Sequence, residues 1–176
     1  MFIGQDLPDW TPLATRSLVN QGIIISRDRR VVMSKPFSMM LDRKIGNPAE
    51  HKVRDWLWMQ PGVQHVERFP FGQYDVDLAA LWSGSIVYVE VERRTNWTGR
   101  LFPYNTIHIP ARKMKMIFTR EPLLYFQVRY DLEMAAVLEG QQILSSDVEC
   151  GYNRLMRDTL DTFFNVPAKE IRYEQL

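Results

Sequence analysis

Residues 74–93 read YDVDLAALWSGSIVYVEVER. Two runs of strand character, Tyr74 to Trp82 and Ser85 to Arg93, are joined by Ser83-Gly84. That pair suits a tight turn, so the strands are expected to be antiparallel. Strand side chains alternate with period two. Asp75 and Asp77 are therefore expected on one face of the first strand. Glu90 and Glu92 are expected on one face of the second, with Val89 and Val91 opposite. Asp is disfavoured in strands, so two inside YDVDLAAL call for a reason. Carboxylates gathered on neighbouring strands repel one another unless something positive sits among them. A hard divalent cation would serve, because Mg²⁺ is held by one or two carboxylates together with waters and phosphate oxygens. A solvated strand face that happens to carry acids is the plainer alternative.

Upstream, Asn47-Pro48-Ala49-Glu50 reads as a helix start. Asn47 can accept from the helix N-terminus, Pro48 fits the first position, and Glu50 can reach back as in a capping box. Ala49, Val53, Trp56 and Leu57 follow at helical spacing, and Pro61-Gly62 ends the helix. His65 to Pro70 is a further short strand. Downstream, a loop with Gly99 and Pro103 leads to Pro110, which is expected to open a helix running to about Thr119. Leu123 to Tyr130 (LLYFQVRY) reads as a buried strand and Met134 to Leu138 as another. Ser146 and Glu149 fit a second capping box ahead of a helix carrying Leu155, Met156, Thr159, Leu160 and Phe163. The polar tail after Pro167 is expected to be peripheral. At the other end, Trp10 to Asn20 reads as a short helix, and Ile23–Ser26 with Val31–Ser34 as a basic hairpin around Arg27-Asp28-Arg29-Arg30. The expected class is α/β or α+β with a mixed sheet, since a helix between two strands usually makes a parallel crossover. One domain is expected over 1–176, with an extension at 1–46, a core at 47–130 and additions at 131–176.

Glu50 on a helix, Asp77 followed by Leu-Ala-Ala, and Glu90-Val91-Glu92 on the next strand together resemble the PD-(D/E)XK, or restriction-endonuclease-like, nuclease superfamily. The resemblance covers roughly Asn47 to Tyr130 and implies a helix–three strands–helix–strand core. It implies Mg²⁺ (or Mn²⁺) on Asp77 and Glu90, with Glu92 as a third ligand or base-side partner, and Glu50 in support. Asp75 is the alternative to Asp77, which is preferred because Leu78-Ala79-Ala80 follows it, as in the family. Glu92 departs from the pattern, because the family usually has Lys there. Lys113 from the second helix is a candidate to supply that charge. In the absence of metal, Glu90 and Glu92 are expected to raise each other's pKa. The catalytic set implied is thus Glu50, Asp77, Glu90, Glu92 and Lys113.

Charge distribution agrees with a phosphate-bearing partner. Arg93 to Arg120 holds seven basic residues and no acidic one. Asp55 to Glu92 holds six acids against Arg68 alone, and Glu121 onward holds ten acids against five bases. Arg93, Arg94, Arg100, Arg112 and Lys115 are the expected nucleic-acid contacts, and Trp97, Phe102 and Tyr104 could stack on bases or pack a loop. The resemblance favours DNA over RNA and implies phosphodiester hydrolysis. A nuclease-like protein that binds without cutting, and an assembly subunit, are the competing functions; a homodimer is left open.

Composition narrows the class further. Hydrophobic residues make up 45% of the 176 and charged residues 24%, a globular balance with net charge +1. Cys150 is the only cysteine, which excludes an intrachain disulfide and a cysteine zinc cluster and fits a reducing compartment. There is no apolar run of membrane-spanning length and no signal-peptide pattern, so an intracellular, cytoplasmic protein is expected. No phosphate loop ending in Lys and no G-x-S-x-G motif occurs, and His51, His65 and His108 lack zinc spacing.

Overall fold

A computed structural model describes residues 47–69, 75–152 and 160–176, all within a unit that begins at Ser34. The expected N-terminal helix and basic hairpin lie outside the described residues. Helix α1 (Asn47–Trp58) leads into β1 (Val63–Arg68), β2 (Leu78–Trp82) and β3 (Ser85–Arg94). Next come β4 (Thr106–Pro110), a 3-10 turn (Ala111–Lys113), α2 (Met114–Thr119) and β5 (Leu123–Arg129). The chain continues through β6 (Met134–Glu139), α3 (Gly140–Leu144), β7 (Asp147–Tyr152), β8 (Leu160–Pro167), a second 3-10 turn (Ala168–Glu170) and β9 (Arg172–Gln175). This is a mixed α+β fold. Among the described residues, no helix is long and apolar enough to cross a membrane.

Six strands form the main sheet in the order β1-β2-β3-β5-β6-β9, and β4-β8-β7 form a second sheet. β2 and β3 are antiparallel, and Ser83 (φ 50°) and Gly84 (φ 82°) make the turn between them. A two-residue hairpin of this hand needs positive φ at both positions, which Gly84 adopts without a Cβ penalty. β3 and β5 are parallel, with Glu90 opposite Tyr125 and Glu92 opposite Gln127. Parallel strands need a long crossover. Here it carries β4, the 3-10 turn and α2.

The two faces of the main sheet are both covered. α1 buries Ala49, Val53, Trp56 and Leu57, the stripe that its spacing predicts, against Val89, Val91, Leu124, Phe126 and Val128. On the opposite face, Tyr125, Ala136 and Leu138 pack under Ile107 and Ile109 of β4, Phe164 and Val166 of β8, Ile117 of α2 and Ile143 of α3. The alternation that places valines on the α1 face therefore turns Glu90 and Glu92 toward the face holding the 3-10 turn and α2.

Several expectations are corrected. The strand expected from Tyr74 begins at Leu78, so Asp75 and Asp77 precede it. The stretch read as a loop before Pro110 contains β4, whose buried Ile107 and Ile109 alternate with His108. Among the described residues after Ser146 there is no α-helix: β7 and β8 pair antiparallel there, with Val148 opposite Phe164. Residues 153–159 lie outside the description. The Ser146 hydroxyl donates to the Ile143 carbonyl and closes α3 instead of opening a helix. The tail is not peripheral: β9 pairs with β6, and Ile171 is buried.

The hairpin makes a definite demand on β8. Phe164 is 4% exposed, whereas Phe163 is only partly buried and lies near the His108 ring. Phe164→Ala should cost about 3–5 kcal/mol in urea unfolding, and Phe163→Ala distinctly less. A helix with Phe163 on its buried face would give the reverse order.

Candidate functional site

The residue before β2, the strands β3 and β5 and the 3-10 turn bring six polar side chains together. Asp77, just before β2, is held by backbone pairing to β3: its N–H donates to the Val89 carbonyl, and its carbonyl accepts from Phe69. Its Oδ2 accepts the Val91 N–H at 2.7 Å. This fixes the carboxylate beside Glu90. Lys113, on the turn that opens α2, reaches back over the sheet. Its Nζ lies 2.7 Å from Glu90 Oε1, 2.7 Å from the Tyr125 hydroxyl and 3.7 Å from Glu92 Oε2. The Tyr125 hydroxyl in turn donates to Glu92 Oε2 at 2.5 Å. Arg94 completes the row, 3.5 Å from Glu92 Oε1, while donating to the His108 carbonyl at 2.9 Å.

The acids have opposite electrostatic settings. Burial pushes Asp77 well above the usual carboxylate range. The neighbouring Glu90 charge adds to the rise, as does Glu50, against the Val91 hydrogen bond and Lys113. Burial likewise raises Glu90, although Lys113 works against it. For Glu92, burial again disfavours charge, but Lys113, Arg94, the Tyr125 hydrogen bond and Arg112 outweigh it and hold the group at about 2. Of the mutual rise expected for Glu90 and Glu92, one half holds: the Glu92 charge raises Glu90, but Glu92 itself is lowered. The carboxylates in conflict are Asp77 and Glu90, and Glu92 is a stable anion. Lys113 stays charged: burial opposes this, but Tyr125, Glu90 and Glu92 prevail. Tyr125 is raised by burial and by Glu92, so it remains a neutral donor.

The expected residues separate into groups. Glu50 is 4% exposed, pairs with Arg68 at 3.4 Å and is close enough to Asp77 for its charge to be felt there. Asp75 leaves the cluster and forms a two-point pair with Arg120 at 2.9 and 2.6 Å; Arg120 also lies over the rings of Phe69 and Tyr88. Asp77, not Asp75, thus stands with Glu90. Among the described residues, no three acidic, His or Cys side chains form a group able to hold a metal. The Lys113 ammonium bonds Glu90 and faces Glu92.

Of the expected phosphate contacts, Arg100, Arg112 and Lys115 are exposed. Arg94 belongs to the acidic cluster. Arg93 is taken up by Tyr130, donating to its carbonyl and lying 4.9 Å from its ring centroid. Trp97 is fully buried against Phe102 and Tyr173 and donates to the Leu101 carbonyl, so it is core and not a base platform. Phe102 packs the loop with it, and Tyr104 remains 53% exposed.

Tyr125 and Gln127 were missed as site residues. Both are fully buried on the face that carries Glu90 and Glu92, and neither Gln127 amide atom has a partner among the described residues. Their signal was present in LLYFQVRY: period-two spacing puts Tyr125 and Gln127 on one face of a strand too apolar to hold them without cause.

No family model matches the chain, and no curated protein matches its sequence.

Glu92 and Asp77 should respond to neutralisation with opposite signs. A raised acid stabilises the fold fully below its unfolded pKa and withdraws that contribution as pH rises through the folded value; a lowered acid contributes above its unfolded pKa and loses the contribution as pH falls. Without metal, Asp77→Asn should therefore raise Tm at pH 8, with a gain that shrinks toward pH 4. Glu92→Gln should cost on the order of 1–3 kcal/mol at neutral pH. That cost should fade as pH falls from 4.5 toward about 2. Thermal unfolding of both variants across this range checks the pair.

Proposed function

We propose that the chain is a metal-dependent nuclease that hydrolyses phosphodiester bonds in DNA, built on the PD-(D/E)XK plan with its lysine delivered from a helix. The observation that carries this is the convergence of Asp77, Glu90 and the Lys113 ammonium on one sheet face. The order helix, three strands of the main sheet, helix and a strand parallel to β3 supports it, with β4 of the second sheet lying inside the crossover. Glu92 occupies the motif's usual lysine position, and Lys113 brings an ammonium to the same neighbourhood.

The acid pair fits a divalent cation. Among the described residues, Glu90 Oε2 is buried without a hydrogen-bond partner, and Asp77 beside it resists ionising. Mg²⁺ needs only one or two carboxylates when water and phosphate oxygens complete its shell. Asp77 and Glu90 would hold the ion, and Glu92 is left out of its shell. The bound ion would supply charge neutralisation at phosphorus and an acidified water. Lys113, kept protonated, is placed to donate to a phosphate oxygen or to the attacking water. Tyr125 and Glu92 orient that ammonium, and Glu50 adds negative charge behind Asp77. Exposed Arg112 and Lys115 would hold flanking phosphates, whose contacts carry little sequence information.

A second reading has its own support. The 2.7 Å pair between Lys113 and Glu90 already neutralises one ligand of the proposed ion. A nuclease-like protein that binds DNA without cutting would retain such a pair.

Calorimetry with Mn²⁺ should show binding that Asp77→Ala and Glu90→Ala each abolish. Cleavage of single-stranded, duplex and branched DNA should require Mg²⁺ or Mn²⁺ and stop with EDTA. Lys113→Met should lower cleavage by about 100-fold while metal binding persists. Tight DNA binding with neither metal uptake nor cleavage would establish the inert binder instead.

Charge reversal at Lys115 should weaken DNA binding evenly across sequences and reduce the salt slope by about one. Fluorescence anisotropy over a salt series checks this, and an unmoved slope would make Lys115 a solvated helix residue only.

A further inference from the structure

The exposed face of α2 is unusual for a short surface helix. Phe118 is 71% exposed and Met114 46%. Four residues apart, they lie on one side of the helix, and Lys115 is Phe118's neighbour at i, i+3. Lys115 is exposed, and so is Arg112 in the preceding turn. No acidic residue occurs from Arg93 to Arg120. An apolar, aromatic ridge edged by cations thus starts one residue from Lys113, whose ammonium is inside the acidic cluster.

We infer that this face of α2 binds the unpaired bases of single-stranded DNA, with Phe118 stacking on a base, Met114 extending the apolar contact, and Lys115 on the adjoining phosphate. The inference rests on the nuclease reading and names its substrate class. Charge favours the occupant: a polyanion meets the exposed Lys115 on the edge of the ridge. Base chemistry accounts for the ridge. In duplex DNA the base faces are already stacked and offer nothing to Phe118. A single strand, flap or frayed end exposes them, and stacking on an aromatic side chain tolerates any sequence. Because Lys113 and Met114 are consecutive, a base on the ridge would bring a neighbouring phosphate toward Asp77 and Glu90. The enzyme would therefore prefer open strands over closed duplex.

The test uses the full chain carrying Asp77→Asn, so that binding is read without cleavage. Single-stranded and duplex oligonucleotides carry 2-aminopurine, whose fluorescence is quenched on stacking. The expected result is tighter binding of the single strand with a fluorescence change. Phe118→Ala should weaken single-strand binding about tenfold, leave duplex affinity unmoved and abolish the change. Phe118→Trp should keep all three. Phe118 is exposed, so the substitutions leave the core intact. Equal loss on both DNAs, or none, overturns the inference, as does a preference of the ridge for anionic vesicles that Phe118→Ala removes without affecting DNA. Metal-dependent cleavage of duplex by the protein without substitutions, with no Phe118 effect on open strands, ends this inference alone. Failure to bind or cut any DNA ends it together with the nuclease reading.

Discussion

The Lys113 ammonium makes the acidic face of the sheet tolerable. Half-buried Asp77 lies beside buried Glu90, and Glu92 stands one pleat further along β3. Three carboxylates in so little solvent would repel one another and take up protons. Lys113 bonds Glu90 directly and Glu92 through Tyr125, so one cation serves two anions while a neutral phenol spaces them. Ion pairs of this kind contribute little net stability once desolvation is counted, but removing one partner leaves a buried charge uncompensated. The cluster is thus conditional on Lys113, and its spare negative charge lies with Asp77 and Glu90.

Topology brings that lysine into place. β3 and β5 are parallel, so the chain must cross over the sheet between Arg94 and Leu123. β4 fixes the path by joining the second sheet, with Ile107 and Ile109 packed over the main sheet and His108 accepting from Arg94 through its carbonyl. Pro110 then ends the strand and the 3-10 turn follows at once, leaving Lys113 above Glu90 and Tyr125. The hairpin of β7 and β8 matters to the site for this reason. β8 pairs with β4 along its length, so a change at Phe164 would reach Lys113 through the strand that precedes it.

Where local chemistry and burial agree, the sequence was legible. α1 follows from the spacing of Ala49, Val53, Trp56 and Leu57, and the β2–β3 hairpin from Ser83-Gly84 between alternating runs. β5 is a buried strand as its composition says. The C-terminal region was misread because Leu155, Met156, Leu160 and Phe163 fit a helical period, whereas Thr162, Phe164 and Val166 fit a strand period. Pairing with β4, distant in sequence, and with neighbouring β7 decided between them. β9 follows one strong apolar cue, Ile171, and pairs with the edge that β6 offers. In the site, the acids were legible from period two along β3. Asp75 and Asp77 were not separable by that rule, because both precede β2 and Arg120, 45 residues further along the chain, draws Asp75 away.

The exchange of charge between Glu92 and Lys113 has a physical logic. A lysine on β3 would project from the sheet beside Glu90, with its position set by the strand. A lysine from the 3-10 turn reaches the same carboxylate from above, held by Tyr125 and by a second anion. The second anion is needed because Tyr125 alone would leave the ammonium short of a counter-charge if Glu90 turned to a metal. Glu92 fills that need, since Lys113 itself, Arg94 and the Tyr125 hydroxyl keep it ionised. Lys113 could then give up Glu90 to a cation and remain charged and oriented. On the proposed nuclease reading, Glu92 is the anchor that would let Lys113 change partners.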